Sequence, residues 1–503
     1  MKREASFVKR KKTTILIYCS LLIFYTCISK NKEEESIEHL EKAISYLKSH
    51  HYEKAKIESE KAITKDPQNP YGHYFLGASY YFLKDLDNAR FKYLRATSLD
   101  SNFLYPYIEL ARIHSEEGKF IEAQMYSDEA VGIISGKKFI KNPALDYRIM
   151  NNDMNMEFEV YFQRAEIAIV LEDFNEAKTS IKKALETQEK SRDYRRDANL
   201  LLVYILIIEN KIPEALDTLT NISDKNSVVE KIREIIKEIV SGTTDHLAFK
   251  HYYFGMREMM RNQEHARSLF EKAYTISPYF TQNNYVLVQT YRNRHFYDLA
   301  IEICLKVIEH NTRDLIFRPL LVEIFESELR FKEAQKILKD LERILIQEKI
   351  TSDVITRWKQ RINDKKLVRT KIEDYITLIQ KHDMIDLYNL QSDFSKARIN
   401  EYTFGEQVKE HWPHPIILHT IDSIDSLDPH HMLVNITVHR DERKKINLLK
   451  KSFIFVREKD AWTFLAPEDE SIQEIYLDQR KDLKDLIPRY TLPDVHDDHG
   501  RHK

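Results

Sequence analysis

Pro70–Phe103 reads PYGHYFLGASYYFLKDLDNARFKYLRATSLDSNF, 34 residues in which small and large side chains alternate at helical spacing. Leu76, Gly77 and Tyr80 share one face of a first helix. Ala89, Tyr93 and Ala96, at i, i+4 and i+7, share one face of a second. Gly77, Ala89 and Ala96 let two backbones approach closely, and Leu76, Tyr80 and Tyr93 fill the space that remains. Neither helix can bury its apolar face alone, so the pair needs neighbours of its own kind.

Such neighbours lie on both sides. Ala55, Ala89 and Ala123 stand 34 residues apart, and Ala266, Ala300 and Ala334 repeat the step. A period of this size marks stacked helix pairs. The first repeat starts near Ser36, with Ala43, Tyr46, Ala55, Ala62 and Pro67 in register, and the third near Leu104, with Leu110, Ala111, Gly118, Ala123 and Ala130. A fourth starts near Phe158 (Ala165, Ala168, Ala177, Ala184), a weaker fifth near Arg196, a sixth at Leu247, a seventh at Thr281 and an eighth at Leu315. The spacing and residue types resemble the tetratricopeptide repeat. The expected fold is therefore mainly α: a solenoid of about eight helix hairpins over 36–345, with irregular inserts near 132–157 and 224–246. A solenoid offers an extended side-chain surface for gripping another protein.

The resemblance also implies where that grip lies. In tetratricopeptide proteins the first helix of each pair lines an inner groove. Carried onto this chain, the inward positions are Tyr71, Tyr74, Ala78 and Tyr81 in the second repeat, Tyr105, Ile108, Arg112 and Ser115 in the third, and Gln282, Tyr285, Gln289 and Arg292 in the seventh. Tyr and Arg are the residues of binding hot spots. The expected protein-binding groove is thus Tyr71, Tyr74, Tyr81, Tyr105, Arg112, Tyr285, Gln289 and Arg292. The competing reading is that some of these tyrosines only pack repeat against repeat. Relatives that clamp a C-terminal carboxylate place Lys and Asn at positions held here by Leu40, Ile44, Tyr74 and Ala78, so that clamp is absent.

The first 30 residues have a different texture. Lys2, Arg3 and Lys9–Lys12 precede an apolar stretch from about Ile15 to Ile28, then polar Ser29–Lys32. This is the pattern of an export signal, and the apolar stretch is short for a membrane span. Cys27 sits where a bacterial lipoprotein signal has its lipidated cysteine, although Phe24 and Thr26 depart from that motif. A lipoprotein, an uncleaved anchor and simple secretion all stay open. Each exports the rest of the chain, and the first two tether it to the envelope membrane, facing the periplasm or the cell surface. Of the three cysteines, Cys19 and Cys27 lie in this segment and Cys304 reads as a small buried hydrophobe.

Past about Lys349 the period fades. A charged helical linker is expected over 346–370, then an α+β domain over 371–480 and a charged, disordered tail over 481–503. Ile372, Tyr375, Ile376 and Ile379 read as helix. Pro415–Ile421, Met432–His439, Lys451–Arg457 and Trp462–Leu465 read as strands, with the helices on one sheet face. Phe453–Trp462 resembles the closing hairpin of NTF2-like domains; a cystatin-like or other small α+β domain is the alternative.

Little here points to chemistry. Nine glycines make no dinucleotide-binding turn, and no catalytic motif, cofactor site or metal site is expected. His411, His414, His430 and His431 read as loop-surface residues, and Asp422, Asp425 and His439 as the one conceivable acid–base set. A net charge of −2 without a basic stripe argues against nucleic acid. The expected function is a non-catalytic scaffold binding a protein or extended peptide, tethered to a membrane by its N-terminus. The alternative is a C-terminal domain that binds a small molecule or catalyses, presented by the repeats.

Overall fold

A computed structural model describes residues 32–136, 156–187, 191–222, 227–442, 445–459, 461–465, 470–480 and 483. The expected signal segment with Cys27, and the tail apart from Leu483, lie outside them. The chain divides into two compact units at Phe280/Thr281.

In the first unit the helices come in antiparallel pairs: α1 (32–48) with α2 (Tyr52–Lys65), α3 (Pro70–Phe82) with α4 (Leu86–Leu99), α5 (Leu104–Glu116) with α6 (Phe120–Ser135). The pairs α7 (Met156–Val170) with α8 (Phe174–Glu186) and α9 (Arg192–Ile208) with α10 (Ile212–Thr220) follow. An unpaired helix, α11 (Ser227–Val240), precedes α12 (His246–Glu258) and α13 (Gln263–Ile276). It occupies the expected second insert and is held by Val229, Ile232, Ile235 and Ile236, one apolar stripe. Part of the first expected insert, 137–155, lies outside the described residues.

The small positions act as the pattern requires. Ala55, Ala89 and Ala123 are all 0% exposed. The first five hairpins also turn on one left-handed residue each: His50, Lys84 and Gly118, at φ 59°, 67° and 76°, repeat the 34-residue step, and Glu172 and Asn210 serve the next two pairs, whereas the turn between α12 and α13 has none. Only one of these is glycine, so the turns were invisible to a search for glycine. Capping is uneven as well. Asp85, Asp173 and Asn262 accept from the backbone N–H of Asn88, Glu176 and His265, whereas His51, Lys119 and Lys211 at equivalent places supply no side-chain cap.

The second unit opens with two further pairs, α14 (Thr281–Asn293) with α15 (Tyr297–His310) and α16 (Phe317–Ser327) with α17 (Phe331–Gln347). Their turns use His295 and Leu329, again at positive φ, 60° and 56°. The expected boundary between linker and domain is not a break. Asp353–Lys381 is one helix of 29 residues, α18. It contains no Gly or Pro, and its buried residues run from Ile355 to Ile379 without interruption. Short helices α19 (Met384–Asn389), α20 (Asp393–Lys396) and α21 (Glu401–His411) lead into a four-stranded antiparallel meander, β1 (Ile416–Asp428), β2 (His431–Glu442), β3 (Lys445–Glu458) and β4 (Ala461–Phe464). The first three strands run longer than expected, and β4 is as short as expected.

On one sheet face Met432, Val434, Ile436 and Val438 alternate inward, and Phe453, Phe455 and Phe464 are 0% exposed. Tyr375 of α18 meets Phe453 and Phe464 edge-on at 5.1 and 5.0 Å. The other face is covered too, contrary to expectation. Leu433, Ile454, Val456 and Leu465 pack with Phe394 and with Tyr476 and Leu477 of a final helix, α22 (Glu470–Gln479).

Candidate functional site

The expected groove residues divide between the units, five in the first and three in the second. In the first unit, Tyr71, Tyr74 and Tyr105 are only 8%, 8% and 6% exposed. Tyr71 packs on Phe103 at 4.6 Å, and Tyr74 touches Phe103, Tyr93 and Tyr105 at 5.6, 5.7 and 5.8 Å. Phe103, just before α5, fills the space between successive pairs and draws these rings inward. These three tyrosines therefore join repeat to repeat, which corrects their placement on an open surface.

Tyr81 and Arg112 are half-buried and lie further toward the open side. The Tyr81 hydroxyl donates to Glu116. Burial and the Glu116 carboxylate push the Tyr81 phenol above its ordinary range. Arg112 Nη2 donates to Glu159 Oε1 at 3.0 Å, and its Nη1 lies 3.5 Å from Glu109. Burial raises the Glu109 carboxyl, with Arg112 opposing and Glu159 and Glu116 adding to the rise. Glu166 is raised in the same way by burial, against Arg257 and with Glu159.

The sequence reading named none of Glu109, Glu116, Glu159, Glu166 or Arg257. Glu159 and Glu166 lie seven apart on α7, a spacing that shares a face, but their meeting with α12 cannot be read from spacing. Arg257 lies 3.8 Å from Glu166, Lys250 pairs with Glu172 at 2.6 Å, and Arg261 sits over the Phe120 ring at 5.2 Å. The sixth pair thus closes back on the third and fourth. On the outer side Ile57, Phe91 and Met125, one row at the repeat period, are 48%, 63% and 63% exposed.

In the second unit Tyr285 is 43% exposed, Gln289 is half-buried, and Arg292 donates to Glu323 at 2.7 Å. Cys304 is fully buried in α15, and burial pushes its thiol up to about 12.

Two of the histidines need correction. His431 is 2% exposed rather than a surface loop residue. Its Nδ1 meets Asp428 Oδ1 at 2.7 Å, its Nε2 meets the Tyr476 hydroxyl at 2.6 Å, and Arg480 donates to Asp428 at 3.0 Å. Burial lowers the His431 imidazole despite Asp428. At Asp428 burial works upward, but the His430 N–H, His431 and Arg480 outweigh it and hold the carboxyl low. The cluster clips α22 to the β1–β2 hairpin. His411 ends α21 rather than lying in a loop, its Nδ1 3.0 Å from the Gln407 carbonyl one turn back; it and His414 are half-buried, and His430 is exposed. Asp422 accepts from Thr437 at 2.6 Å and Asp425 from Ser423 at 2.7 Å, ties within the sheet that do not involve His439. Among the described residues no group of three or more His, Cys, Asp or Glu is arranged to hold a metal ion.

The tetratricopeptide repeat family model matches residues 158–191, the pair α7–α8. No curated protein matches the chain. Solved structures similar to it include Pseudomonas aeruginosa PilF, 15% identical, covering 49% of this chain and 94% of that one at a TM-score of 0.32. A tetratricopeptide repeat protein from Parabacteroides merdae is 19% identical over 58% of this chain and 99% of its own, TM-score 0.32. YrrB, described as a tetratricopeptide repeat protein with an unusual peptide-binding site, is 17% identical over 44% and 92%, TM-score 0.27. Residues 158–191 match the tetratricopeptide repeat, and the helix pairs around them resemble it in spacing and in packing.

Proposed function

We propose that this protein is a non-enzymatic scaffold whose helix pairs hold a partner protein or extended peptide, and that it is exported and tethered to the bacterial envelope through its N-terminus. The observation that carries the binding role is the inner face of the first unit, where Tyr81, Arg112, Glu109 and Glu159 form a polar surface on adjacent first helices. The C-terminal sheet with its long helix is read as an NTF2-like domain adding a second contact surface. Its sheet interior is filled by Tyr375, Phe453, Phe455 and Phe464, which favours a contact role over a reaction chamber. A cavity of about 170 Å³ beside it is lined by Ile379, His382, Met384, Val408, Lys409, Trp412 and Pro413. The basic run Lys9–Lys12, the apolar stretch after it and Cys27 support the tether, and the net charge of −2 supports a protein partner over nucleic acid.

A photo-crosslinking side chain at Tyr81 tests the groove in cells, with Lys182 as the outer-surface control. A discrete protein adduct from Tyr81 and none from Lys182 supports it; equal yields overturn it. Membrane fractionation of Cys27→Ser tests lipid anchoring. Unchanged membrane retention and mobility would count against Cys27 as the anchor.

A further inference from the structure

Resting on that groove reading, we propose that the partner segment enters the first unit with a cationic side chain, Arg or Lys, seated among Glu109, Glu159 and Glu166.

The charges of the inner face are unbalanced. Glu109, Glu116, Glu159 and Glu166 face Arg112 and Arg257. Arg112 is shared between Glu159 at 3.0 Å and Glu109 at 3.5 Å, and Arg257 stands 3.8 Å from Glu166. Arg261, which also bears on Glu166, lies over Phe120 at 5.2 Å and 3.8 Å from Glu258. Both Glu109 and Glu166 hold their protons more firmly than a free carboxylate, through burial and neighbouring negative charge. A bound cation would offset the burial and the neighbouring negative charge that disfavour their charged forms.

A second observation points the same way. Gln163 lies on α7, four residues after Glu159 and three before Glu166, so the three share a face. It is 8% exposed, and its Nε2 donates to the Ile108 carbonyl at 2.9 Å, while its Oε1 is buried without a partner. Ser115 Oγ, one turn beyond Arg112, is likewise buried and unpartnered. Buried acceptors without donors are uncommon in folded proteins. A ligand bringing several N–H groups, as a guanidinium does, answers the excess carboxylates and the idle Gln163 oxygen together.

Fluorescence anisotropy on the whole protein tests this with two labelled Ser/Gly peptides, one with alternating Arg and one with Glu at the same places. The Arg probe should bind roughly tenfold more tightly at low salt, with the margin shrinking as salt rises. The pair Glu109→Gln and Glu166→Gln should remove most of that margin, and Arg257→Gln should widen it. If the double variant fails to fold by circular dichroism, Arg257→Gln decides, since it moves the charge the other way. Equal binding of both probes, or preference for the Glu probe, overturns the cationic assignment and leaves the groove reading standing. Binding of neither removes both.

Discussion

Gly77 lies flat against Tyr93: a Cβ placed on Gly77 would stand 2.8 Å from the Tyr93 ring and 3.3 Å from the Ala89 carbonyl. The same arrangement recurs at Gly255, where a Cβ would stand 2.6 Å from Phe270. Tyr93 is 1% exposed and Phe270 is 1% exposed, so neither ring has room to retreat. Gly77→Ala should therefore destabilise by about 1–3 kcal/mol, the usual cost of overpacking a tight contact. Thermal unfolding followed by circular dichroism measures it. Gly132→Ala, where nothing stands within 4 Å, is the control and should not lose stability. Equal behaviour of the two variants would refute the close-packing argument.

Lys84 occupies the left-handed turn between α3 and α4 at φ 67° and is exposed. Its N–H still closes the turn onto the Tyr81 carbonyl at 3.0 Å. Lys84→Gly keeps that bond and relieves the side-chain penalty of this conformation. It should raise stability by about 1 kcal/mol or somewhat less, because glycine loses more chain entropy on folding. A lower midpoint in denaturant would contradict this.

His114 is 7% exposed and stacks on Tyr126 at 5.1 Å, with both ring nitrogens buried and unpartnered. Burial lowers its imidazole below the ordinary 6.5; Arg90 and Lys119 add to this, and Glu117 and Glu122 oppose. The folded state thus prefers the neutral ring. The contribution is fully present above pH 6.5 and is lost as pH falls through the folded value. His73, His251 and His431 are shifted in the same direction and add to the slope. His114→Phe should flatten part of the acid-side fall in melting temperature and raise stability near neutrality, since a buried unsatisfied group is replaced by an apolar ring. An unchanged pH profile would show that His114 plays no part.

The clip of Asp428, His431 and Tyr476 carries α22 on the sheet. His431→Ala should cost about 1–3 kcal/mol locally by leaving the Tyr476 hydroxyl and the Asp428 carboxylate short of a partner. Hydrogen exchange is the suitable readout. Amides of Glu470–Gln479 should exchange faster while those of α3 and α5 keep their protection. Uniform acceleration across the chain would mean that His431 supports the whole unit rather than this helix.

Much of the fold was legible because its signals are local. The small residues at Ala55, Ala89 and Ala123 recur at the repeat period and are fully buried, and the β2 alternation of Val434, Ile436 and Val438 marks its inward face. The joining of linker and domain into α18 was less legible. A loss of repeat register looks like a boundary, although the helix itself continues through it. The turns hid for another reason: Lys84 and Leu329 adopt a conformation that composition assigns to glycine.

The sequence by itself determined the stacked helix pairs, the first strand near Pro415 and the identity of the small contact residues. Those features follow from spacing along the chain. Only the tertiary structure decided which inward residues stay open, because Tyr74 is covered by Phe103 and Tyr105 from the next pair. It alone joined Glu166 to Arg257, 91 residues later, and His431 to Tyr476, 45 residues later. Such meetings depend on how far each pair rotates on the one before it, and that sum over many packed interfaces leaves no mark in the local pattern.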